Sequence, residues 1–138
     1  MTIRTAVPAD LDGIRIYDRH IPASRLEDCI RRGQVDVLVD DGGTIRGVLR
    51  WNLFWQSLPF LDLIYLDDSL RGQGWGTEMM DLWDINMAEQ GFRHVLLSTQ
   101  EDETSKFFYE KLGYTLCGDF LPPDQEAREL MYRKELKA

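Results

Sequence analysis

The sequence has few of the residues that form disulfides or bind metals. Its 138 residues include two cysteines and two histidines, and neither pair has the spacing of a metal site. We therefore expect no metal. We expect Cys29 and Cys117 to be free thiols in a reducing compartment, packed as small core residues.

Long apolar runs and an excess of positive charge are also missing. No run reaches the roughly 18 apolar residues of a membrane span, and the first residues carry no apolar signal region. The 24 acidic residues outnumber the 16 basic ones, giving a formal net charge of −8. These features argue against a membrane or nucleic-acid partner, and we expect a cytoplasmic protein. A negative net charge commonly keeps a protein soluble, and it would also favour a cationic acceptor.

Hydrophobic periodicity predicts one α/β domain, residues 1–138, with elements in the order β-α-α-β-β-β-α-β-α-β-β. The predicted strands are 2–7, 35–39, 45–55, 60–66, 95–98, 114–120 and 128–132, and the predicted helices are 11–20, 23–32, 75–89 and 103–112. Pro59 is expected to end the third strand. Interleaved strands and helices predict a mixed sheet of six or seven strands with helices on both faces.

Arg71-Gly72-Gln73-Gly74-Trp75-Gly76 is the most informative segment. It follows the strand 60–66 and opens the helix 75–89. A strand, then glycines, then a helix start is an arrangement that binds phosphate, because glycines let the backbone approach an anion and the helix dipole favours negative charge there. The alternative interpretation is a flexible surface turn.

A second segment strengthens the phosphate-binding interpretation. Phe107-Phe108-Tyr109-Glu110-Lys111-Leu112-Gly113-Tyr114 is similar to the phrase Phe-Tyr-Glu-Lys-x-Gly-Phe. Together the two segments resemble the GNAT superfamily of acetyl-CoA-dependent N-acetyltransferases. In that family the pyrophosphate pattern is Arg/Gln-x-x-Gly-x-Gly/Ala, here Arg71, Gly74 and Gly76. The resemblance runs from about residue 60 to 114 and implies a GNAT-like fold with acetyl-CoA as cosubstrate.

The resemblance implies where acetyl-CoA binds. The backbone of residues 72–77 would hold the pyrophosphate, and the side chains of Arg71 and Gln73 would assist. The strand 60–66 would splay from its parallel neighbour 95–98, which frees backbone groups for the pantetheine arm and the acetyl oxygen. The cofactor-binding residues expected on this basis are Tyr65, Leu66, Arg71, Gly72, Gln73, Gly74, Trp75, Gly76 and Thr77.

Two residues are candidates for proton transfer. The resemblance gives Tyr109 the role of general acid, and a phenol stays protonated at neutral pH; the alternative is a core aromatic. Asp62 lies in the middle of a predicted strand, among apolar residues. Burial of a carboxylate there is costly unless the carboxylate has a partner or a function. Asp62 falls where relatives often carry a glutamate base, although aspartate is one methylene shorter, and a structural ion pair is its rival interpretation.

Asp102 replaces the asparagine of many relatives, so we expect no pantetheine contact from it.

These observations predict direct transfer of acetyl to a primary amine in a ternary complex, with no acyl-enzyme, because Cys29 and Cys117 lie outside both motifs. The alternatives are a catalytically silent acetyl-CoA-binding regulatory module and a subunit whose aromatic strand forms a homodimer interface. Trp51, Phe54 and Trp55 are candidates for an acceptor wall or a dimer face, and core packing is favoured for the two tryptophans. The sequence does not name the acceptor, which we expect to be cationic.

Overall fold

Strands and helices follow one another in the predicted order. The computed structural model describes residues 1–137. Its strands are β1 Thr2–Thr5, β2 Val35–Val39, β3 Ile45–Phe54, β4 Leu58–Leu66, β5 His94–Gln100, β6 Thr115–Phe120 and β7 Glu129–Glu135. Its helices are α1 Leu11–Arg15, α2 Ala23–Arg31, α3 Trp75–Glu89 and α4 Ser105–Lys111, with 3₁₀ helices at Pro8–Asp10 and Asp68–Leu70. None of the helices within residues 1–137 is long and apolar enough to cross a membrane.

The strands form a seven-stranded mixed sheet in the order β1-β2-β3-β4-β5-β7-β6. The pairs β1–β2, β2–β3, β5–β7 and β7–β6 are antiparallel, whereas β4 and β5 are parallel. A parallel pair needs a crossover connection, and α3 lies in the chain between these two strands. The prediction of a mixed sheet is therefore confirmed.

Two compact units make up the chain. The first combines Met1–Asn52 with Asp62–Trp83, and the second combines Leu53–Leu61 with the chain from Asp84 onward. In the first unit, helices cover both faces of the strands. One face packs on α1 and α2 in a cluster of Ala6, Ile14, Leu26, Ile30, Val35, Val37, Val39, Ile45 and Val48. On the other face, the ring centroid of Trp51 on β3 lies 6.5 Å from that of Trp83 on α3. That the chain is one domain stays a prediction.

In the second unit, β7 lies between β5 and the edge strand β6. The pairing of β6 with β7 shifts register between Leu116 and Gly118, so Cys117 is an extra, unpaired residue. Cys117 is exposed, and the prediction that it packs in the core is wrong for this physical reason. Cys29 is partly buried and packs against the core of the first unit.

The connection from β3 to β4 differs from the prediction. The Ser57 N–H donates to the Phe54 carbonyl at 3.1 Å, and the two residues between them, Trp55 and Gln56, have φ of 56° and 59°. Positive φ at both central residues is what a type I′ hairpin turn requires. The turn, not Pro59, therefore ends β3, and Pro59 lies inside β4. Trp55 is 77% exposed, so its predicted core position is wrong.

Two helix predictions also need correction. α1 ends at Arg15 rather than near residue 20, where the Tyr17 N–H donates to the Ile14 carbonyl three residues before it, a tightening that is common at helix ends. On α3, helical spacing predicts that Met79, Leu82, Trp83 and Met87 are buried. Leu82 is instead 41% exposed, and Met80 is buried together with the other three.

Candidate functional site

The glycine segment of the first unit connects the 3₁₀ helix after β4 to α3. Gly72 and Gly74 have φ of 76° and 89°, a conformation that costs other residues about 1–2 kcal/mol. A Cβ added at either position would meet nothing within 4 Å. The backbone there is therefore uncovered by the protein and open to close approach by a ligand.

The first turn of α3 supplies donors at the same place. The first helical hydrogen bond joins the Glu78 N–H to the Gly74 carbonyl at 3.0 Å. Helix geometry consequently leaves the N–H groups of Trp75, Gly76 and Thr77 without an acceptor within the helix. With the helix dipole, these donors favour an anion. The segment thus fits the pyrophosphate of acetyl-CoA.

The two polar side chains of this segment contact other residues. A guanidinium nitrogen of Arg71 lies 3.2 Å from Asp68 Oδ1, in a pair that is largely exposed. The same guanidinium lies over the Tyr65 ring, 5.3 Å from its centroid. The Gln73 amide donates to the Ser69 carbonyl at 3.0 Å. Exposed pairs of this kind are weak, so both side chains can turn to a phosphate at small cost.

The parallel pairing of β4 with β5 is short. It joins Phe60 to Leu96 and Leu61 to Leu97, so residues 62–66 of β4 lie outside this ladder. Asp62 and Tyr65 are exposed although β4 is the middle strand of seven. A short pairing agrees with the splay that the resemblance implies. It leaves backbone polar groups of the Tyr65–Leu66 region without this ladder as a partner.

Asp62 projects from β4 toward polar side chains of β3. The Asn52 amide donates to both carboxylate oxygens of Asp62 at 2.6 Å, and an Arg50 guanidinium nitrogen lies 3.3 Å from Oδ2. The side chain of Asp62 is 21% exposed, although its backbone is open to solvent. Burial raises the pKa of Asp62, against the lowering effects of Asn52 and Arg50. Asp62 is therefore both ion-paired and easier to protonate than an ordinary aspartate.

A second carboxylate holds the other side of Arg50. Arg50 Nε donates to Asp18 Oδ2 at 2.7 Å, and Asp18 is fully buried. Burial acts to raise the pKa of Asp18, but the Arg50 bonds and the His20 contacts outweigh it and lower that pKa. His20 Nδ1 lies 3.2 Å from Asp18 Oδ1, with its ring largely exposed.

A cleft of about 340 Å³ lies at the end of β4, lined by Ile16, Tyr17, Tyr65, Asp67 and Asp68. The rings of Tyr17 and Tyr65 are 6.0 Å apart, and the Tyr17 hydroxyl donates to Asp67 at 2.9 Å. Hydrogen bonds from the Ser69 side chain and backbone lower the pKa of Asp67 to about 2. Asp67 is thus ionised at neutral pH, and it caps the 3₁₀ helix.

Tyr109 lies on α4 in the second unit. Its ring contacts the rings of Phe108 and Tyr114, with centroids 5.2 and 6.1 Å away, and it is 8% exposed. Burial, with a smaller effect of the Glu103 charge, raises the pKa of Tyr109 to about 12. Within residues 1–137 its hydroxyl has no hydrogen-bond partner. Tyr109 is therefore a buried aromatic that keeps a proton available for donation.

The sequence interpretation did not single out three residues around Asp62. Arg50 and Asn52 contact Asp62 directly, and Asp18 contacts it through Arg50. The available clue was the alternation along β3, which places Arg50 and Asn52 on the same face of a buried strand. Asp18 had no comparable clue, because it lies in the irregular segment between α1 and α2. Asp102 is exposed in the turn before α4.

Residues 31–116 match the family model described as acetyltransferase (GNAT) domain. This range is more than half of the chain, so the protein belongs to the GNAT acetyltransferase family. It is an acyltransferase that uses acetyl-CoA as cosubstrate. No curated protein sequence matches the chain.

Solved structures share the fold over nearly the whole chain. Ard1 from Thermoplasma volcanium superposes with a TM-score of 0.86 at 19% identity, covering 99% of this chain and 98% of that one. Phosphinothricin acetyltransferase from Sinorhizobium meliloti in complex with AcCoA gives 0.82 at 20% identity, covering 98% and 88%. Aminoglycoside 6′-N-acetyltransferase complexed with coenzyme A gives 0.82 at 17% identity, covering 100% and 98%. At these identities the likeness concerns the fold.

Proposed function

We propose that this protein is an N-acetyltransferase that moves the acetyl group of acetyl-CoA to a cationic primary amine by direct attack in a ternary complex. The observation that carries the proposal is the placement of Asp62 and the anion-binding start of α3 on one strand–loop–helix segment of the first unit. That segment offers donors for a pyrophosphate, a Tyr65–Leu66 backbone that lies outside the β4–β5 ladder, and a carboxylate for an ammonium.

Asp62 is proposed as the base. A protonated amine is no nucleophile, so the reaction needs an acceptor for its proton. Burial raises the pKa of Asp62, which makes its carboxylate a stronger base than an ordinary aspartate. Its side chain is 21% exposed, and we propose that it takes the proton of the amine through a water molecule.

Tyr109 is proposed as the acid. When the carbon–sulfur bond of the thioester breaks, the electron pair stays on sulfur, and a proton donor assists its departure. The Tyr109 hydroxyl keeps its proton at neutral pH because its pKa is about 12. It also has no competing acceptor in the part of the chain that the structure describes.

The fold does not select the acceptor. Structures named for an aminoglycoside and for phosphinothricin superpose with the same TM-score of 0.82. A cationic amine is proposed because Asp62 and the ionised Asp67 lie on the same strand–loop segment.

An acceptor panel tests the proposal. The panel contains spermidine, butylamine, an aminoglycoside, free lysine and two peptides, one with a free N-terminus and one with a free lysine side chain only. Acetyl-CoA consumption is followed by thiol release, and the product by mass spectrometry. We expect one N-acetylated product per thiol released. Calorimetric binding of acetyl-CoA without acetylation of any amine would instead favour the regulatory module.

Initial rates test the ternary complex. Varying both substrates should give double-reciprocal lines that intersect, because both must be bound before acetyl moves. A Cys29→Ser/Cys117→Ser double variant should keep its rate. Parallel lines, or an acetylated cysteine in the intact mass, would replace direct attack with an acyl-enzyme route.

A further inference from the structure

The carboxylate of Asp62 is held by two neighbours on β3, and the geometry of the three residues leaves one position open. A carboxylate has about four lone-pair positions. The Asn52 amide nitrogen occupies one lone-pair position on each carboxylate oxygen, at 2.6 Å in both cases. An Arg50 guanidinium nitrogen occupies the second position on Oδ2, at 3.3 Å. The remaining position is on Oδ1, in a side chain that is 21% exposed.

Arg50 is itself fixed from the opposite side. Its Nε and a terminal nitrogen contact the fully buried Asp18 at 2.7 and 3.5 Å. A guanidinium is planar and rigid, so fixing one edge on Asp18 also fixes the edge that meets Asp62. Arg50 therefore connects a buried anchor to a partly exposed carboxylate.

The charged and titratable side chains around the Asp62 carboxylate come from three parts of the chain. β3 contributes Arg50, and the segment between α1 and α2 contributes Asp18 and His20. α2 contributes Cys29, whose pKa burial raises and on which the charges of Arg50 and Asp62 act in opposite directions. Asn52 is uncharged and donates to Asp62 without bringing a charge of its own.

We propose that Asn52 and Arg50 are positioning residues for Asp62: they fix its carboxylate so that the free lone pair of Oδ1 takes the proton of the acceptor amine. The amine nitrogen keeps the electron pair of the broken N–H bond, and the proton passes through water to Oδ1. This inference rests on the proposed function, because it assumes that Asp62 is the base. Asn52 supplies orientation and Arg50 supplies both orientation and charge.

The first test is a titration of the Asp62 carboxyl by carbon NMR on the full chain without substrates. Donors to a carboxylate favour its charged form, so removing them raises its pKa. Asn52→Leu has similar volume and no donor, and we expect it to raise the pKa of Asp62. Asn86→Ala is the matched control, since Asn86 is a partly buried asparagine on α3 whose side chain accepts from Gln90. It should leave that titration unchanged.

The second test is a double-mutant cycle on acetyl transfer to the fastest amine of the panel. Misplacing a reacting group by about 1 Å can lower a rate 10²-fold, so Asn52→Leu should lower kcat about 10- to 100-fold. It should also move the acidic limb of the pH profile to higher pH. In an Asp62→Asn background, Asn52→Leu should have no further effect on kcat. Arg50→Lys keeps the charge but not the rigid fork, so it should lower kcat while moving the limb little.

The two measurements separate the two hypotheses. An unchanged Asp62 titration in folded Asn52→Leu would overturn the positioning role, as would equal effects of Asn52→Leu with and without Asp62. A changed titration combined with a fully active Asp62→Asn enzyme would instead overturn the base assignment in the proposed function. The titration needs no acceptor, so it remains informative even where every amine of the panel is inert.

Discussion

The hydroxyl of Tyr109 has no other partner within residues 1–137, and this makes its removal informative. Tyr109→Phe keeps the ring contacts with Phe108 and Tyr114 and removes the proton. We expect kcat to fall about 10²- to 10⁴-fold, the usual contribution of a general acid, with little change in the Kd of acetyl-CoA by calorimetry. Tyr132→Phe is the control, because the Tyr132 hydroxyl donates to Glu110. A fully active Tyr109→Phe enzyme would reduce Tyr109 to packing.

Asp36 on β2 gives a prediction on stability. Burial raises its pKa to about 6, against a smaller lowering effect of Thr5. The unfolded carboxyl ionises near pH 4 and the folded one near pH 6, so the free energy of unfolding falls between these values and is constant above them. Asp36→Asn removes this loss and should stabilise the protein at pH 7 by roughly 1–3 kcal/mol.

Urea unfolding at pH 4 and pH 7 measures this effect. The gain from Asp36→Asn should be present at pH 7 and small at pH 4, where the wild-type carboxyl is protonated in the folded state. Asp41→Asn, at an almost fully exposed side chain, serves as the control and should change stability little. A destabilised Asp36→Asn protein at pH 7 would show that the Asp36 anion is satisfied in the fold.

At the scale of elements, regular segments with local signals were predicted well. The bounds of β2 and α3 are as predicted, because β2 is a short run rich in β-branched valine and α3 begins directly after a glycine segment. The β3–β4 turn was missed because Trp55 and Gln56 adopt positive φ without glycine or asparagine. Turn signals in sequence depend on those residue types.

The candidate site was predictable to the extent that it is local in sequence. The glycine segment and Asp62 stand out within a few residues of one another. The contacts of Asp62 with Arg50 and Asn52 depend on where β3 and β4 lie side by side, and Asp18 reaches Arg50 from the α1–α2 segment. Such contacts arise from tertiary packing, which a single sequence does not state.

The connection between β4 and α3 can be tested through its glycines. Gly74→Val should weaken acetyl-CoA about 10- to 100-fold by calorimetry, because a side chain there blocks donors to a charged group. Gly43→Val is matched to it, since Gly43 has a similar φ of 85° and an added Cβ there also meets nothing within 4 Å. Both variants carry similar backbone strain, and only Gly74→Val should lose affinity. Equal affinities in the two variants would place the pyrophosphate elsewhere.

At the scale of the whole molecule, the dominant feature is charge. The net charge of −8 creates a field that attracts cations and repels anions at distances beyond direct contact. One of the two substrates, acetyl-CoA, is an anion, and in the proposed site it would reach the helix start of α3 against that field. We propose that the local donors of residues 75–77 and the Arg71 guanidinium provide the opposing attraction for it. A cationic acceptor, in contrast, is attracted at every distance.

This difference predicts how activity responds to salt. The Debye length falls from about 30 Å at 0.01 M to about 8 Å at 0.15 M, so added salt should lower kcat/KM for a cationic amine, about tenfold or more for a polyamine. The slope should be steeper for spermidine than for butylamine, because the triamine carries more charge, and kcat should change little. The measurement uses saturating acetyl-CoA and sodium chloride between these concentrations. Equal slopes for the two amines would show that the acidic surface serves solubility alone and does not guide the acceptor.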